Sequence, residues 1–260
     1  MGRAHHRRFL VSPDAIRGGD VDLAVHARQL ASVLRLHSGD VISVLDGSGR
    51  EWTAALTEAT PRRARARLLS ELSALPEAGP AITLVQVVPR GPAMDVILAK
   101  ATELGVSRII PVEAAHSVRR IADRRARWER ILREAAEQSG RRTAPEIAEP
   151  CALESYLRSR TPGTLLVCHA DSSATPVLAA CRELAGEAQM ACLVGGEGGL
   201  APDELERLRA EGGRLVSLGP LLLRADTAAV ALLAVLQAGL QAFGPTAAMS
   251  ALPHSERMAL

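Results

Sequence analysis

The first third of the chain carries short runs of apolar and β-branched residues separated by turn-forming residues. This pattern predicts four strands, at Arg8 to Val11, Val41 to Leu45, Glu51 to Leu56 and Ala64 to Leu72. One helical stretch is predicted at 23–36. The glycines of the Asp-Gly-Ser-Gly segment at 46–49 accept the positive φ of a tight turn, which indicates a hairpin. Residues 1–75 are therefore expected to form a small β-barrel domain.

A different pattern begins after residues 76–80, where two prolines and one glycine favour a linker. The predicted strands now cover 82–88, 108–112, 164–168, 189–194 and 214–218, and the predicted helices 92–104, 125–139, 176–185, 202–211 and 226–240. Thr175 is expected to cap the third of these helices. Strands without polar alternation are typical of a parallel sheet covered by helices. An α/β domain is expected at 81–243 and a loose tail at 244–260.

Composition places the chain among globular proteins, because 47% of its residues are apolar and 23% are charged. Aromatic residues make up only 2%. Recognition of bases by a row of exposed aromatic side chains is therefore nearly excluded, and any RNA binding must run through arginine. The four cysteines, at 151, 168, 181 and 192, form no Cys-x-x-Cys pair. Neither a zinc site nor a dithiol redox site is predicted, and no metal is expected.

Neither the N-terminus nor the longest apolar tract predicts export or membrane insertion. The basic N-terminus is followed by an apolar run of only three residues, 9–11, whereas a signal peptide needs about 7 to 15. The longest apolar tract, 228–243, is shorter than the ~20 residues of a bilayer span and is expected to be a buried core helix. A cytoplasmic location without membrane attachment is the resulting expectation.

Positive charge is concentrated in the centre of the chain, although the net charge is only +2. Residues 119–142 hold nine arginines and four acidic residues. A polyanion such as RNA could dock there. A run of charge is more often the solvated face of a helix, and this alternative stays open.

A glycine-rich segment is the strongest local signal, with four glycines among residues 195–199, between a predicted strand and a predicted helix. Glycines let a ligand approach the backbone and its amide groups closely. A tight turn without a ligand is the structural alternative. The segment also matches a relaxed dinucleotide fingerprint, but the acidic residue needed about 20 positions later is missing. A Walker-type phosphate loop is excluded, because its Gly-Lys pair is absent.

A second unusual loop follows the next strand, with the sequence Leu-Gly-Pro-Leu-Leu-Leu-Arg at 218–224. Asp226 or Thr227 can cap the helix that follows. Capping does not explain Arg224, because a guanidinium among leucines needs a carboxylate or a ligand as its partner. Loops at the carboxyl ends of consecutive strands form the crevice in which open α/β sheets bind ligands, so the two loops are expected to be neighbours.

Together these segments resemble a known family. The runs Gly-Gly-Glu-Gly-Gly-Leu-x-x-x-Glu at 195–204 and Leu-Gly-Pro-x-x-Leu-Arg-x-Asp-Thr-Ala at 218–228 are similar to the S-adenosylmethionine-binding loops of knotted SPOUT methyltransferases. The specific resemblance is to the small-subunit ribosomal RNA uridine-N3 methyltransferase family. Further matching segments lie at 100–106, 134–141 and 145–147, and residues 8–11 and 33–40 resemble the family's PUA-like RNA-binding module.

The resemblance implies a C-terminal parallel-sheet SPOUT domain with a trefoil knot, preceded by a small PUA-like β-barrel domain. It also implies a homodimer in which each active site is completed at the subunit interface. The implied activity is methylation of N3 of a specific uridine in small-subunit (16S-type) ribosomal RNA. The implied cofactor is S-adenosylmethionine, and the implied partner is ribosomal RNA, within the small ribosomal subunit.

Matching the family's motifs position by position gives the implied site. The residues expected to bind the cofactor are His169, Val194, Gly195, Glu197, Gly198, Leu218, Gly219, Leu222, Leu223, Arg224 and Thr227. The residues expected to contact RNA are Arg8, Arg35, Lys100, Arg119, Gln138 and Arg141. For Gln138 and Arg141, a helix surface is an equally good interpretation. Two positions depart from the family, since Gly196 stands where proline is usual and Asp226 where glutamate is usual.

Methyl transfer to a ring nitrogen is an in-line displacement, so holding donor and acceptor in contact does most of the work. The uracil N3 must lose its proton, and the resulting charge spreads onto the flanking carbonyl oxygens. We hypothesise that Arg224 stabilises this charge and that Glu197, directly or through a water, removes the proton. Two alternatives stay open, a non-catalytic RNA-binding or ribosome-assembly protein with the same fold and a nicotinamide-dependent dehydrogenase.

Overall fold

The computed structural model describes residues 8–72, 80–117, 124–171 and 173–243. The described residues divide into two compact units, one of residues 8–72 with 132–144 and the other of the remainder from 80 to 243. The sequence assigned 132–144 to the larger domain, so the observed division differs from the predicted one at that segment. The predicted tail at 244–260 and most of the predicted linker lie outside the described residues.

The elements follow the sequence pattern closely. The strands are β1 (Arg8–Leu10), β2 (Ile16–Arg17), β3 (Asp20–Asp22), β4 (Val41–Leu45), β5 (Glu51–Ala59), β6 (Ala64–Leu72), β7 (Ala81–Val87), β8 (Arg108–Glu113), β9 (Glu146–Ile147), β10 (Cys151–Ala152), β11 (Leu165–Cys168), β12 (Thr175–Pro176), β13 (Gln189–Val194) and β14 (Gly213–Ser217). The helices are α1 (Ala93–Glu103), α2 (Arg125–Ser139), α3 (Leu153–Ser159), α4 (Val177–Glu183), α5 (Pro202–Ala210) and α6 (Ala225–Phe243). Five two- or three-residue strands (β2, β3, β9, β10 and β12) and the short helix α3 lie outside the predicted set.

The first unit is built on a six-stranded sheet in the order β1-β4-β5-β6-β3-β2. Strands β1 and β4 are parallel, and the other pairs are antiparallel. The predicted hairpin between β4 and β5 is confirmed. Gly47 and Gly49 adopt φ angles of 79° and 96°, and Asp46 accepts hydrogen bonds from both the N–H and the hydroxyl of Ser48. The predicted β-rich N-terminal module is therefore observed.

The helical stretch predicted at 23–36 is present but irregular. Ala24–His26 forms a 3-10 turn and Gln29–Val33 a π turn. The stretch and the sheet enclose the core of the unit, which includes Phe9, Val21, Leu23, Leu30, Ile42, Val44 and Leu56. Helical periodicity is therefore a correct guide to the buried side of this segment even where regular helix geometry is lost.

A buried carboxylate, Glu51, joins residues 132–144 to the sheet of the first unit. Glu51 begins β5 and is 1% exposed. Its two oxygens lie 2.9 Å from Nε of Arg8 and 3.1 Å from Nε of Arg142. Arg8 also donates to the carbonyl of Gly140. These partners are needed, because an unpaired charge inside a protein is costly.

A second carboxylate with little exposure in this unit is Glu137, near the end of α2. Its Oε1 accepts the backbone N–H of Leu10 at 3.0 Å and lies 3.5 Å from Nε2 of His26. Nε2 of His26 is also 2.9 Å from the carbonyl oxygen of Leu10. Burial raises the pKa of Glu137, and the His26 imidazole and the Leu10 N–H act in the opposite direction. Burial prevails, so Glu137 holds its proton more tightly than an exposed glutamate does.

Replacing Glu137 with glutamine is expected to reduce the pH dependence of stability. A raised pKa in the folded state gives a contribution that is complete below the ordinary pKa of 4.5 and is lost as the pH rises through the folded-state value. The free energy of unfolding of the wild type should therefore fall, relative to Glu137→Gln, as the pH rises from about 4 to about 8. Denaturant unfolding measures this, with the exposed Glu187→Gln as the control. A difference that stays constant over this range would contradict the prediction.

The second unit is built on a parallel sheet in the order β10-β8-β7-β13-β11-β14-β12, with β9 also paired to β8. All of these pairs are parallel. Central strand β13 lies between β7 and β11, and Val85, Val167 and Leu193 from these three strands are completely buried. The predicted α/β class with a parallel sheet is confirmed.

The helices of this unit bury the faces that their periodicity indicates, with one error at a helix start. The buried face of α1 comprises Met94, Ile97, Leu98, Ala101 and Thr102. Gly105, with a φ of 82°, follows the end of this helix in the left-handed conformation that glycine adopts without strain. Thr175 does not cap α4, and that prediction is wrong. Thr175 and Pro176 pair with β14 as the short strand β12, and α4 begins at Val177 without a side-chain cap.

Among the described residues, α6 is the one helix whose length and composition would suit a membrane span. It packs instead on α1 and α4. Its most buried leucines, at most 4% exposed, are Leu232, Leu233, Leu236 and Leu240. Only 39% of its apolar 18-residue window is buried, however. The predicted core helix thus buries one face completely, while its remaining residues are mostly half-buried.

Candidate functional site

Three loops meet at the carboxyl edge of the parallel sheet. They follow β11, β13 and β14, and together they line a cavity of about 220 Å³. Seven residues predicted to bind a cofactor line it, namely His169, Val194, Gly195, Leu218, Gly219, Leu222 and Leu223. The others, outside the lining, are Glu197, Gly198, Arg224 and Thr227. The two loops expected to be neighbours, after β13 and β14, line the same cavity. Strand β11 lies between these two strands and contributes the third loop.

The glycine-rich segment forms a tight turn in which the Gly199 N–H donates to the carbonyl of Gly196 at 3.0 Å. Gly199 has a φ of 66°, which glycine adopts without strain. Gly198 is required for another reason, since a Cβ there would lie 2.5 Å from Cβ of His116. A Cβ at Gly196 would lie 3.3 Å from a methyl group of Val87. The turn is therefore packed against the loops after β7 and β8.

The amide side chain of Gln86, in β7, holds the start of the same turn. Gln86 is fully buried. Its Nε2 donates to the carbonyls of Val87 at 2.9 Å, Val194 at 3.3 Å and Gly195 at 3.4 Å. Sequence reasoning missed this residue, although a lone amide in an otherwise apolar strand was a usable signal.

Two carboxylates fasten the surrounding loops to each other. Both oxygens of Glu197 accept the backbone N–H of Arg90, at 3.0 and 3.2 Å. Glu204 is 8% exposed and accepts the N–H groups of Ala115 and Ala201, each at 2.8 Å. The loops after β7 and β8 are thereby tied to the segment that follows β13.

The loop after β14 places apolar side chains at the cavity. Leu221 and Leu222 both line it, and they are 76% and 90% exposed. Arg224 is exposed as well, and its side chain makes no ion pair or hydrogen bond within the described part of the chain. Its guanidinium is therefore available to a bound molecule. Thr227 is exposed in the first turn of α6, and its N–H donates to Asp226 at 2.8 Å.

Two titratable side chains also line the cavity, at the end of β11. Burial raises the pKa of Cys168 to about 11, so its thiol is protonated at neutral pH and is a poor nucleophile. The His169 backbone N–H donates to the carbonyl of Val216 at 3.0 Å, which extends the pairing of β11 with β14. At neutral pH the cavity therefore supplies no thiolate for covalent catalysis.

Two of the residues predicted to contact RNA are engaged within the fold. Arg8 is paired with Glu51 and bonded to Gly140. Lys100 pairs with Glu103 at 2.9 Å on the surface of α1. These contacts give both cations a structural role, and their RNA contacts stay predictions.

The other residues predicted to contact RNA differ in exposure. Arg35 and Gln138 are exposed, and Arg141 is half-buried. Arg35 has a φ of 53°, in the left-handed region that is unfavourable for a side-chain-bearing residue and is found more often at functional positions. Arg119 lies outside the described residues.

A second cavity in this unit, of about 360 Å³, opens at the opposite edge, where the strands begin. Its lining includes Arg108, Tyr156, Arg160 and Gln189 and none of the predicted site residues. In the part of the chain that the structure describes, no group of three or more His, Cys, Asp or Glu side chains could hold a metal ion. The predicted cofactor-binding residues that line a cavity therefore line the one at the carboxyl edge, and none of them lines this second cavity.

Most of the chain matches a known protein family. Residues 76–237 match the RNA methyltransferase domain, and residues 30–69 match the RNA methyltransferase PUA domain. The chain is 33% identical over 238 residues to ribosomal RNA small subunit methyltransferase E of Synechocystis, which covers 90% of this chain and 78% of that protein. The chain belongs to this RNA methyltransferase family.

Other members of the family match over similar lengths. The Mycobacterium tuberculosis protein of the same name is 32% identical over 220 residues, 81% of each chain. The Neisseria gonorrhoeae protein, in a crystal structure bound to S-adenosyl methionine, is 33% identical with a TM-score of 0.80 over 90% of this chain and 98% of that one. A Legionella pneumophila methyltransferase in complex with the same cofactor is 28% identical with a TM-score of 0.80, over 89% and 97%. The predicted family is confirmed.

The two departures from the family's usual residues fall at the edge of this site. Gly196, where the family usually has proline, does not adopt a positive φ, so proline is not excluded there by a left-handed backbone. A side chain at that position would nonetheless press on Val87. Asp226, where glutamate is usual, is engaged by the N–H of Thr227 at the start of α6.

Proposed function

We propose that this chain transfers the methyl group of S-adenosylmethionine to N3 of a specific uridine in small-subunit ribosomal RNA. The observation that carries the proposal is the cavity enclosed by three loops at the carboxyl edge of a parallel sheet. Relatives named ribosomal RNA small subunit methyltransferase E and neighbours solved with S-adenosylmethionine support the reaction class and the cofactor. The choice of uridine N3 rests on the family resemblance.

The residues at the cavity fit this cofactor. Gly195 and Gly219 bring backbone polar groups to the lining without side chains in front of them. Leu218, Leu222 and Leu223 give the lining an apolar part, which suits the adenine ring. When bound, S-adenosylmethionine supplies an electrophilic methyl group.

The protein supplies positioning and charge stabilisation. The loops hold the uracil N3 in line with the methyl donor, which removes most of the entropic barrier. Arg224 stabilises the negative charge that develops on the uracil carbonyl oxygens as N3 loses its proton. Glu197 is the sequence candidate for the proton acceptor, but both of its oxygens accept the Arg90 N–H, at 3.0 and 3.2 Å, and this engagement weakens it as a free base.

RNA binding runs mainly through arginine in this proposal. The proposed contacts are Arg8, Arg35, Lys100, Arg119, Gln138 and Arg141. The aromatic side chains whose burial the structure describes, at most 7% exposed, are Phe9, Trp52, Trp128 and Tyr156. Stacking on these rings is therefore unavailable, and RNA affinity is expected to weaken as the salt concentration rises.

The proposal includes a homodimer, a trefoil knot and action in the cytoplasm, where ribosomal RNA is found. Only 39% of the apolar window of α6 is fully buried, which supports a partner subunit on this helix. The exposed Leu221 and Leu222 support completion of the site by that partner. In the sheet, β13 lies between β7 and β11, and β11 lies between β13 and β14. This strand order is compatible with a knotted chain.

Calorimetry with S-adenosylmethionine and mass mapping of modified bases in RNA from a deletion strain test the proposal. We expect stoichiometric binding, and one N3-methyluridine that is lost in the deletion strain and restored by the purified protein. Binding of RNA without binding of S-adenosylmethionine would favour the non-catalytic RNA-binding or ribosome-assembly alternative. Binding of a nicotinamide dinucleotide in its place would favour the dehydrogenase alternative.

A further inference from the structure

Glu197 and Arg90 form a contact between two loops that cofactor binding does not explain. Arg90 follows β7, and its backbone N–H donates to both oxygens of Glu197, at 3.0 and 3.2 Å. Glu197 is exposed and lies outside the cavity lining. Hydrogen bonds to a carboxylate are among the stronger ones in proteins. The Glu197 carboxylate therefore fixes the position of the Arg90 backbone.

The loop that carries Arg90 is also fixed by its neighbours. Strands β7 and β13 pair as far as Gln86 and Val194, and the Gln86 amide donates to Gly195. Gly91 has a φ of 64°, so the chain turns sharply directly after Arg90. The backbone of Arg90 is thereby held beside the glycine turn at the cavity.

Arg90 brings an unengaged positive charge to this edge of the sheet. Its side chain is exposed and makes no hydrogen bond or ion pair with another residue in the described ranges. The carboxylate that contacts this loop, Glu197, accepts the backbone N–H of Arg90 and not its guanidinium. Among the residues that the structure describes, Arg90 and Arg224 are therefore two guanidinium groups without a partner, on loops of the same edge.

We propose that Arg90 binds a phosphate of the RNA strand that carries the target base, and that Glu197 is the positioning residue that holds Arg90 for this contact. The inference rests on the proposed function, because a uridine delivered to the cavity brings its flanking phosphates to the same edge. The planar fork of an arginine matches phosphate oxygens. Glu197 is then a structural anchor, and the N3 proton passes to a water molecule.

Arg90→Gln tests the phosphate contact through the salt dependence of RNA binding. The probe is deproteinised small-subunit ribosomal RNA from a deletion strain, measured by filter binding at several KCl concentrations. Loss of one phosphate contact should reduce the slope of log K against log salt by about 0.7 to 0.9. The KM for RNA should rise about tenfold, with the Kd for S-adenosylmethionine unchanged. Arg158→Gln, exposed on α3, is the matched control and should keep the wild-type slope.

Glu197→Gln and Glu197→Ala separate positioning from proton transfer. The glutamine amide oxygen can still accept the Arg90 N–H, so Glu197→Gln should keep the wild-type salt slope and should lose far less of kcat than the about 10²-fold or more that loss of a general base costs. Glu197→Ala should reproduce the raised KM and the reduced slope. An unchanged slope in Arg90→Gln, or a collapse of kcat in Glu197→Gln, would overturn the inference. The slope needs no turnover, so this failure is distinguishable from a failure of the proposed methylation.

Discussion

Arg224→Ala is expected to lower kcat by about 10²- to 10³-fold, the loss typical of removing one group that stabilises a developing anion. The substitution takes away an exposed guanidinium that no described residue engages. Water cannot replace it well, because water must reorganise as the charge forms. The Kd for S-adenosylmethionine should change much less, since Arg224 is not part of the cavity lining. Single-turnover methylation of ribosomal RNA and calorimetry measure the two quantities.

Arg224→Lys is the matched variant for this prediction. It keeps the positive charge and loses the planar fork, so its kcat should lie between those of the wild type and Arg224→Ala. Arg90→Gln should instead act on KM and on salt dependence, which separates the roles of the two arginines. Wild-type kcat in Arg224→Ala would refute the role in charge stabilisation. A matching loss of S-adenosylmethionine binding would make Arg224 a cofactor ligand.

Most of the fold could be predicted from the sequence because hydrophobic periodicity is a local property. Strands β4, β6 and β13 and helix α2 begin and end at the predicted residues. The predictions fail where a segment distant in sequence determines the local structure. Thr175 is a good capping residue by its neighbours in sequence, but it pairs with β14 instead. The position of β11 between β13 and β14 likewise depends on the order of the whole sheet.

The candidate site likewise has parts that the sequence reveals and contacts that it does not. The glycine-rich segment and the loop around Arg224 could be found from the sequence, because their composition is unusual over a few consecutive residues. The contacts that hold them could not, since they join positions far apart in the chain, 107 residues for Arg90 with Glu197 and 89 for Ala115 with Glu204. The motif identifies Glu197 as a residue that could accept a proton. Only the fold shows that its carboxylate accepts the backbone N–H of Arg90.

Gly198→Ala is expected to weaken binding of S-adenosylmethionine by about 10- to 10²-fold. The new Cβ would lie 2.5 Å from Cβ of His116 and 3.3 Å from its carbonyl oxygen. Neither atom is the end of a flexible side chain, so the glycine turn itself must move. Gly195 and Gly196 of that turn line the cavity, and inserting a methyl group into a well-packed site costs about 1 to 3 kcal/mol, which corresponds to about 5- to 150-fold in Kd. Calorimetry measures the loss, and a thermal unfolding curve checks that the variant is folded.

Two second-site variants distinguish a steric collision from any chemical role of His116. His116→Gly removes the Cβ with which the methyl group introduced by Gly198→Ala would collide, whereas His116→Ala keeps it; both remove the imidazole. Combined with Gly198→Ala, the glycine variant should therefore restore much of the affinity and the alanine variant little, and the difference appears as a coupling energy in the double-mutant cycle. Rescue stays partial, because the approach to the carbonyl oxygen at 3.3 Å persists. Equal rescue by both variants would make the imidazole, and not the packing of the turn, the cause of the loss.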